Sequence, residues 1–460
     1  MRLMRRALAL PIAAMVLVIS GGVAAAEQAP SIAWAPCEDN PEGECGTLSV
    51  PLDWSRPGGG RIEIAVARHV ATDPARRLGV LMVDPGGPGG SAAQFALSRL
   101  FSPELRARFD IVGIDSRGTG NSLPIRCADL MNDQPSIYPS DEAGFTALLR
   151  HNQGVLQKWR ERSGPIFDHS DSATVAQDMD AMRRALGERK ISYLGLSYGT
   201  VFGQLYAEKF GHRVRAMVLD SVVDHSVDTR RFTGDRAAAV DDSFVEFARW
   251  CDRTVSCALH GQDVYAAWEK ALDSDPSGRQ RLIDTVYQGL GGPDFGWIAN
   301  VIAGRLGAEA EAALDFEPNY ESVRLATVCQ DFSLRVKNFQ EYSRLRAEEL
   351  RRSPIMRGSF IGHDEATACI GVAGPPANPP HRLDIADAPR ILVLSARHDP
   401  VTPYAWAVNL HRQAPRNTAL MTYEGWGHVA YPRSDCTRGG VENYLLDLEI
   451  PAGCPAVEPS

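Results

Sequence analysis

Apolar positions along this chain follow two rhythms. At residues 61–70, Ile62, Ile64 and Val66 alternate with other residues, which predicts a half-buried strand. Residues 79–83 and 111–114 are short, continuous apolar runs bounded by Gly, Pro and Asp. Such runs predict strands buried on both faces of a parallel sheet. Residues 191–194, 216–219, 391–394 and 419–422 predict four more strands. Between them the period changes. Val175, Met179, Met182 and Leu186 form one helical stripe, ended by Gly187, and residues 201–210 also read as helix. Strands alternating with helices over this length predict a doubly wound α/β sheet.

Residues 225–388 break that alternation. They hold charge-mixed helical stretches at 240–253 and 339–352, a Gly291-Gly292-Pro293 segment, and proline pairs at 375–376 and 379–380. The expected organisation is a core from 27–224 and 389–460, with a mainly helical lid inserted at 225–388.

One short segment joins the two rhythms and carries chemistry. Gly195-Leu196-Ser197-Tyr198-Gly199 lies between the strand expected at 191–194 and the helix at 201–210. A G-x-S-x-G between strand and helix is a nucleophile elbow, whose tight turn leaves room only for glycine beside the serine. A serine hydroxyl needs a base, an orienting acid and an oxyanion hole. The order along the chain for such an elbow is serine, acid, histidine. His428, in Gly425-Trp426-Gly427-His428, follows the last expected strand and is the base candidate. Asp399, in His398-Asp399-Pro400, follows the strand at 391–394 and is the acid candidate; Asp220, also at a strand end, is its rival. The residue after the nucleophile, Tyr198, supplies one oxyanion N–H. Gly87, in Asp84-Pro85-Gly86-Gly87-Pro88-Gly89-Gly90, supplies the other. No C-x-x-C or H-E-x-x-H occurs, so neither a zinc site nor another cofactor is expected.

The N-terminus adds an address. Arg2, Arg5 and Arg6 precede an apolar stretch at 7–18, and Ala24-Ala25-Ala26 offers a cleavage site before Glu27. This is the pattern of a removable export leader at 1–26, with no stable membrane insertion after its removal. Its loss takes three arginines and no acidic residue, so the formal net charge falls from −9 to −12. That charge argues against nucleic acid or an anionic membrane as partner. Export makes disulfides the default for the nine cysteines. Sequence proximity pairs Cys37 with Cys45, Cys251 with Cys257, Cys329 with Cys369 and Cys436 with Cys454, and leaves Cys127 over.

These segments together resemble the secreted bacterial tripeptidyl aminopeptidases of the α/β-hydrolase fold, relatives of the proline iminopeptidases. The resemblance runs from Cys45-Gly46-Thr47-Leu48 and Asp115-Ser116-Arg117-Gly118 through the elbow and Trp250-Cys251 to Gly427-His428 and Cys436. It implies a triad of Ser197, Asp399 and His428, and removal of short peptides, often tripeptides, from free N-termini. It also implies a lid carboxylate for the substrate amine, and Asp331, beside Cys329, is the candidate. A carboxylesterase with the same triad and a proline iminopeptidase-like activity are the alternatives. Three positions depart from the family pattern: Asp84 where asparagine is expected, Ser116 where proline is usual, and Ile370-Gly371-Val372, where a tryptophan commonly follows the glycine. Cys127 also lacks a partner before the elbow and is expected to be a free, buried thiol.

Overall fold

The computed structural model of the protein describes residues 31–120, 122, 134–275, 278–306 and 320–459. The leader expected at 1–26 and Cys127 lie outside the described residues.

Nine strands form one sheet: β1 (Ala35–Pro36), β2 (Glu44–Pro51), β3 (Arg61–His69), β4 (Gly79–Asp84), β5 (Phe109–Ile114), β6 (Ile191–Leu196), β7 (Val214–Asp220), β8 (Ile391–His398) and β9 (Thr418–Trp426). Their spatial order is β1-β2-β3-β5-β4-β6-β7-β8-β9. From β5 to β9 all neighbours are parallel, while β1, β2 and β3 add an antiparallel edge. Every residue of β4, β5 and β6 is buried, including Asp84, Asp110 and Ser192, as strands covered on both faces require.

Fourteen α-helices occur among the described residues. Five precede β7: α1 (Ala92–Ala96), α2 (Pro103–Arg108), α3 (Glu142–Ser163), α4 (Ser172–Ala185) and α5 (Gly199–Phe210). Seven fill the interval between β7 and β8: α6 (Thr229–Arg253), α7 (Val264–Ser274), α8 (Arg279–Gly291), α9 (Phe295–Ile302), α10 (Tyr320–Asp331), α11 (Phe339–Arg352) and α12 (Phe360–Ala368). The last two, α13 (Tyr404–Gln413) and α14 (Asp435–Asp447), flank β9 in sequence.

Alternate residues of the buried strands serve two cores. Val80 and Met82 of β4 pack with Val175 and Met179 of α4, Phe202 and Leu205 of α5, and Trp406 of α13. Leu81 and Val83 point the other way, toward Ala96 of α1, Leu105 of α2 and Tyr444 of α14. The helical interval has an apolar centre of its own, including Phe244, Phe247, Trp268, Phe295 and Ile298. Disulfides join Cys37 to Cys45, Cys251 to Cys257, Cys329 to Cys369 and Cys436 to Cys454.

The topology fixes where a site can form. The chain crosses from β5, on one side of β4, to β6 on the other. The C-terminal ends of β4 and β6 therefore flank a switch point, where the loops diverge and leave a crevice.

Candidate active site

Two loops meet at that crevice. β6 ends in the elbow, where Ser197 takes a left-handed φ of 52°. A Cβ at Gly195 would lie 2.6 Å from the Gly199 carbonyl oxygen, and one at Gly199 would lie 2.7 Å from Asp84 Oδ1. Neither position accepts a side chain, so both glycines follow from the tightness of the turn. The loop after β4 presses on the elbow: a Cβ at Gly86 would lie 2.7 Å from the Tyr198 nitrogen.

The backbone donors of these loops sort themselves. Gly86 N–H donates to Asp84 Oδ1 at 2.8 Å, and Gly90 N–H donates to the Gly86 carbonyl at 3.0 Å. Pro85 and Pro88 have no N–H. Gly87 lies in the cavity wall beside Ser197 and Tyr198. Tyr198 N–H is at the start of α5, where helix donors lack intrahelical partners. Gly87 and Tyr198 thus share one cavity wall with Ser197.

Glycines also position the histidine. Gly427 adopts a φ of 93°, and a side chain there would strike Pro293. His428 N–H donates to the Gly291 carbonyl at 2.9 Å, so the helical interval anchors the histidine loop. The His428 ring meets Asp399, with Nδ1 at 3.0 Å from Oδ2 and 3.2 Å from Oδ1. Asp399 also accepts from Val401 N–H, Thr402 N–H and Thr402 Oγ1 at 2.8–2.9 Å. Burial alone would raise the Asp399 carboxyl. The His428 imidazole and the Thr402 and Val401 donors outweigh that and hold it below the ordinary carboxylate range. An ionised, fully bonded carboxylate is what fixes an imidazole tautomer.

Asp220 has a different task. It accepts from Ala430 N–H at 3.1 Å and Tyr431 N–H at 2.8 Å, and so holds the loop that follows His428. Burial, opposed by those two donors, pushes its carboxyl up to about 6.

Ser197, Tyr198, Gly87 and His428 line one cavity of about 640 Å³. Its far wall comes from the helical interval: Tyr287, Trp297, Phe360 and Ile361 supply apolar surface, with Arg236, Asp294, Glu321, Arg324 and Glu365 as charged groups. Arg324 pairs with Glu321 at 2.6 Å, with Glu365 at 3.0 Å, and with Asp364. Arg236 pairs with Glu365 at 2.5 Å. This cluster of two guanidinium groups and three carboxylates was not singled out from the sequence. Its members come from three helices, α6, α10 and α12, and no local spacing joins them.

Asp331 is not in that wall, which corrects the expectation that it receives a substrate amine. It is fully buried and faces protein on every side. Ser172 N–H and Oγ, Tyr198 OH and Asn378 Nδ2 all donate to it, at 2.5–2.9 Å. Burial, with Asp171 nearby, pushes its carboxyl up to about 7.

The sequence matches the alpha/beta hydrolase fold family over residues 79–434. The chain belongs to the α/β-hydrolase family. Among curated relatives, this α/β-hydrolase is 31% identical to the serine protease Hip1 of Mycobacterium tuberculosis, over 97% of this chain and 95% of that protein. It is 28% identical to a tripeptidyl aminopeptidase of Streptomyces lividans, over 88% of this chain and 81% of the relative. It is also 31% identical to carboxylesterase B of Mycobacterium tuberculosis, over 92% of this chain and 89% of the relative. The protein is therefore an enzyme, a serine hydrolase of the α/β-hydrolase family. Among the described residues, no helix is long and apolar enough to cross a membrane.

Proposed function

We propose that this protein is an exported serine exopeptidase that releases short peptides, chiefly tripeptides, from free N-termini. Ser197 is the nucleophile, His428 the base and Asp399 the orienting acid. His428 takes the hydroxyl proton as Ser197 Oγ adds to the scissile carbonyl. Gly87 and Tyr198 N–H groups hold the resulting oxyanion. His428 then protonates the departing amine, which leaves as the shortened chain. A water, deprotonated by His428, adds to the acyl-enzyme and frees the peptide and Ser197.

The observation that carries this reading is the charge of the cavity wall. In the wall, Arg236 and Arg324 stand with three carboxylates, Glu321, Glu365 and Asp294, so one negative charge is in excess. A single protonated α-amine is its complement. Glu321 is the proposed acceptor in place of Asp331: its side chain is 46% exposed, against 13% for Asp364 and 3% for Glu365. The cavity volume is in the range of about 300–1,000 Å³ that encloses compact ligands, which suits a chain end of a few residues. Residues 225–388 act as the lid over a core of 27–224 and 389–460, and residues 1–26 direct export.

The relative named carboxylesterase B favours a second reading, ester hydrolysis by the same three residues. One substrate panel separates the two: a tripeptidyl p-nitroanilide, its N-acetylated form, a prolyl p-nitroanilide and a short-chain p-nitrophenyl ester. Rapid cleavage of the free tripeptidyl amide, with the acetylated form slower by about 10- to 100-fold, is expected from loss of a charged hydrogen bond. Cleavage of the ester alone establishes the second reading. Cleavage of the prolyl amide alone points to an iminopeptidase.

A further inference from the structure

We infer that α10 is a strut that sets both oxyanion donors, and that Asp331 is the positioning residue at its inner end. The inference rests on Gly87 and Tyr198 being those donors.

The two ends of α10 meet the two halves of the oxyanion machinery. At the first residue, Tyr320 occupies the space beside the loop that follows β4. Its Cε2 lies 2.9 Å from where a Gly87 Cβ would stand, and its carbonyl oxygen lies 3.1 Å from that point on Gly89. At the last residue, Asp331 Oδ2 accepts from Tyr198 OH at 2.7 Å. Tyr198 thus contributes its N–H to the cavity and its phenol to the strut. Its ring is held edge-on by Phe202 and Phe332, with centroids 5.8 Å and 6.4 Å away. Fixing the phenol and the ring fixes the Cα, and with it the direction of the N–H.

Asp331 is itself held from several sides. Ser172, at the start of α4, donates twice, Asn378 donates once, and the Asp331 carbonyl meets His225 Nε2 at 2.8 Å. The Cys329–Cys369 disulfide ties the same turn of α10 to the end of α12. All four carboxylate bonds are internal, so this group serves geometry rather than substrate contact. Between the two ends, Glu321 and Arg324 of the same helix face the cavity. A substrate that engages the cavity wall therefore bears on the element that orients both N–H groups.

The test compares Asp331→Ala, Asp331→Asn and Tyr198→Phe with the wild type. It uses a free tripeptidyl p-nitroanilide and a peptidyl aldehyde. The aldehyde carbonyl accepts Ser197 Oγ, the serine proton passes to His428, and the oxygen occupies the oxyanion position. A donor displaced by a fraction of an ångström predicts that Asp331→Ala lowers kcat by about 10- to 100-fold, with KM within about twofold. Aldehyde affinity should fall by the same factor as kcat. Asp331→Asn, which can still accept from Ser172 N–H, should recover most of the loss. Tyr198→Phe should lower kcat in the same direction, and the Asp331→Ala/Tyr198→Phe pair should be no worse than Asp331→Ala alone. Wild-type kcat in a folded Asp331→Ala protein, or a loss carried by KM, overturns the inference. If Asp331→Ala does not fold, Tyr198→Phe decides, because it removes one hydroxyl and keeps the ring. Unchanged kcat and aldehyde affinity there overturn the strut. Full activity in Ser197→Ala overturns the proposed function itself, which is a separable result.

Discussion

Asp84 stands behind the loop proposed to hold the oxyanion, and its own ionisation opposes that charge. Its neighbours are Gly86 N–H, the Gly199 backbone, Tyr193 and, further off, Asp115. Burial, only partly offset by the Gly86 donor, pushes its carboxyl up to about 8. Below that pH the group is neutral; above it a buried carboxylate sits beside the oxyanion loop. We predict that kcat/KM falls as pH rises through about 8, and that Asp84→Asn removes this alkaline limb. A pH–rate profile of both proteins checks it, and an identical limb in Asp84→Asn contradicts it. The linkage sign agrees: a carboxyl raised on folding stabilises most below its unfolded value, near 4. That contribution is lost as pH rises through about 8, so Asp84→Asn should flatten the stability profile over that window. At the proposed orienting acid, Asp399→Asn should leave the fold intact and lower kcat by about 10⁴-fold, read with the same amide substrate. Glu321→Gln should raise KM for the free tripeptidyl amide by about 10-fold and leave ester hydrolysis unchanged. Ser197, Gly87 and His428 could be proposed from the sequence because each stands in a glycine-marked turn near a strand end, and Asp399 because it directly follows β8. The proposed amine acceptor, Glu321, could not. Asp331 shares a helix face with Arg324, seven residues earlier, but sits two turns, about 10 Å, deeper along α10. Sequence spacing gives the face of a helix and not the depth at which it is buried.

The same division holds for whole elements. β4, β5, β6, β7, β8 and β9 were legible because each carries a short apolar run in its buried part, although β8 ends in half-buried Arg397 and His398 and β9 exposes Glu424. β2 was not, since Glu44–Pro51 is exposed on part of one face and mixes Gly, Thr and Ser with its buried Leu48 and Val50. The helix α3 also escaped notice. Its 22 residues bury only Phe145, Leu148, Asn152, Val155, Leu156 and Trp159, a thin stripe within a polar sequence. The helix α10 carries Glu321, Arg324 and Asp331, and its tie to the end of α12 is covalent. The Cys329–Cys369 bond spans 40 residues, and closing a loop of that length contributes about 4 kcal/mol through the unfolded chain. Replacing both cysteines by serine should lower the unfolding free energy by about that amount in urea titrations. If α10 is a strut, kcat should fall in the same variant at temperatures where it remains folded.

At the scale of the molecule, the helical interval between β7 and β8 has its own apolar centre, yet it contributes most of the wall opposite Ser197. Composition announced this division through the loss of strand signals after residue 225, but not the buried ion cluster that charges the wall. On the proposed reading, the elbow and its partners supply acyl-transfer chemistry common to peptidases and esterases. The choice between them rests on whether the wall rewards a free amine. The most direct measurement is therefore kcat/KM for a tripeptidyl p-nitroanilide with a free N-terminus against its N-acetylated form, with Ser197→Ala as control. The account predicts that the free form is preferred by about 10- to 100-fold and that Ser197→Ala abolishes both. Equal rates for the two forms, or turnover that survives in Ser197→Ala, contradict it.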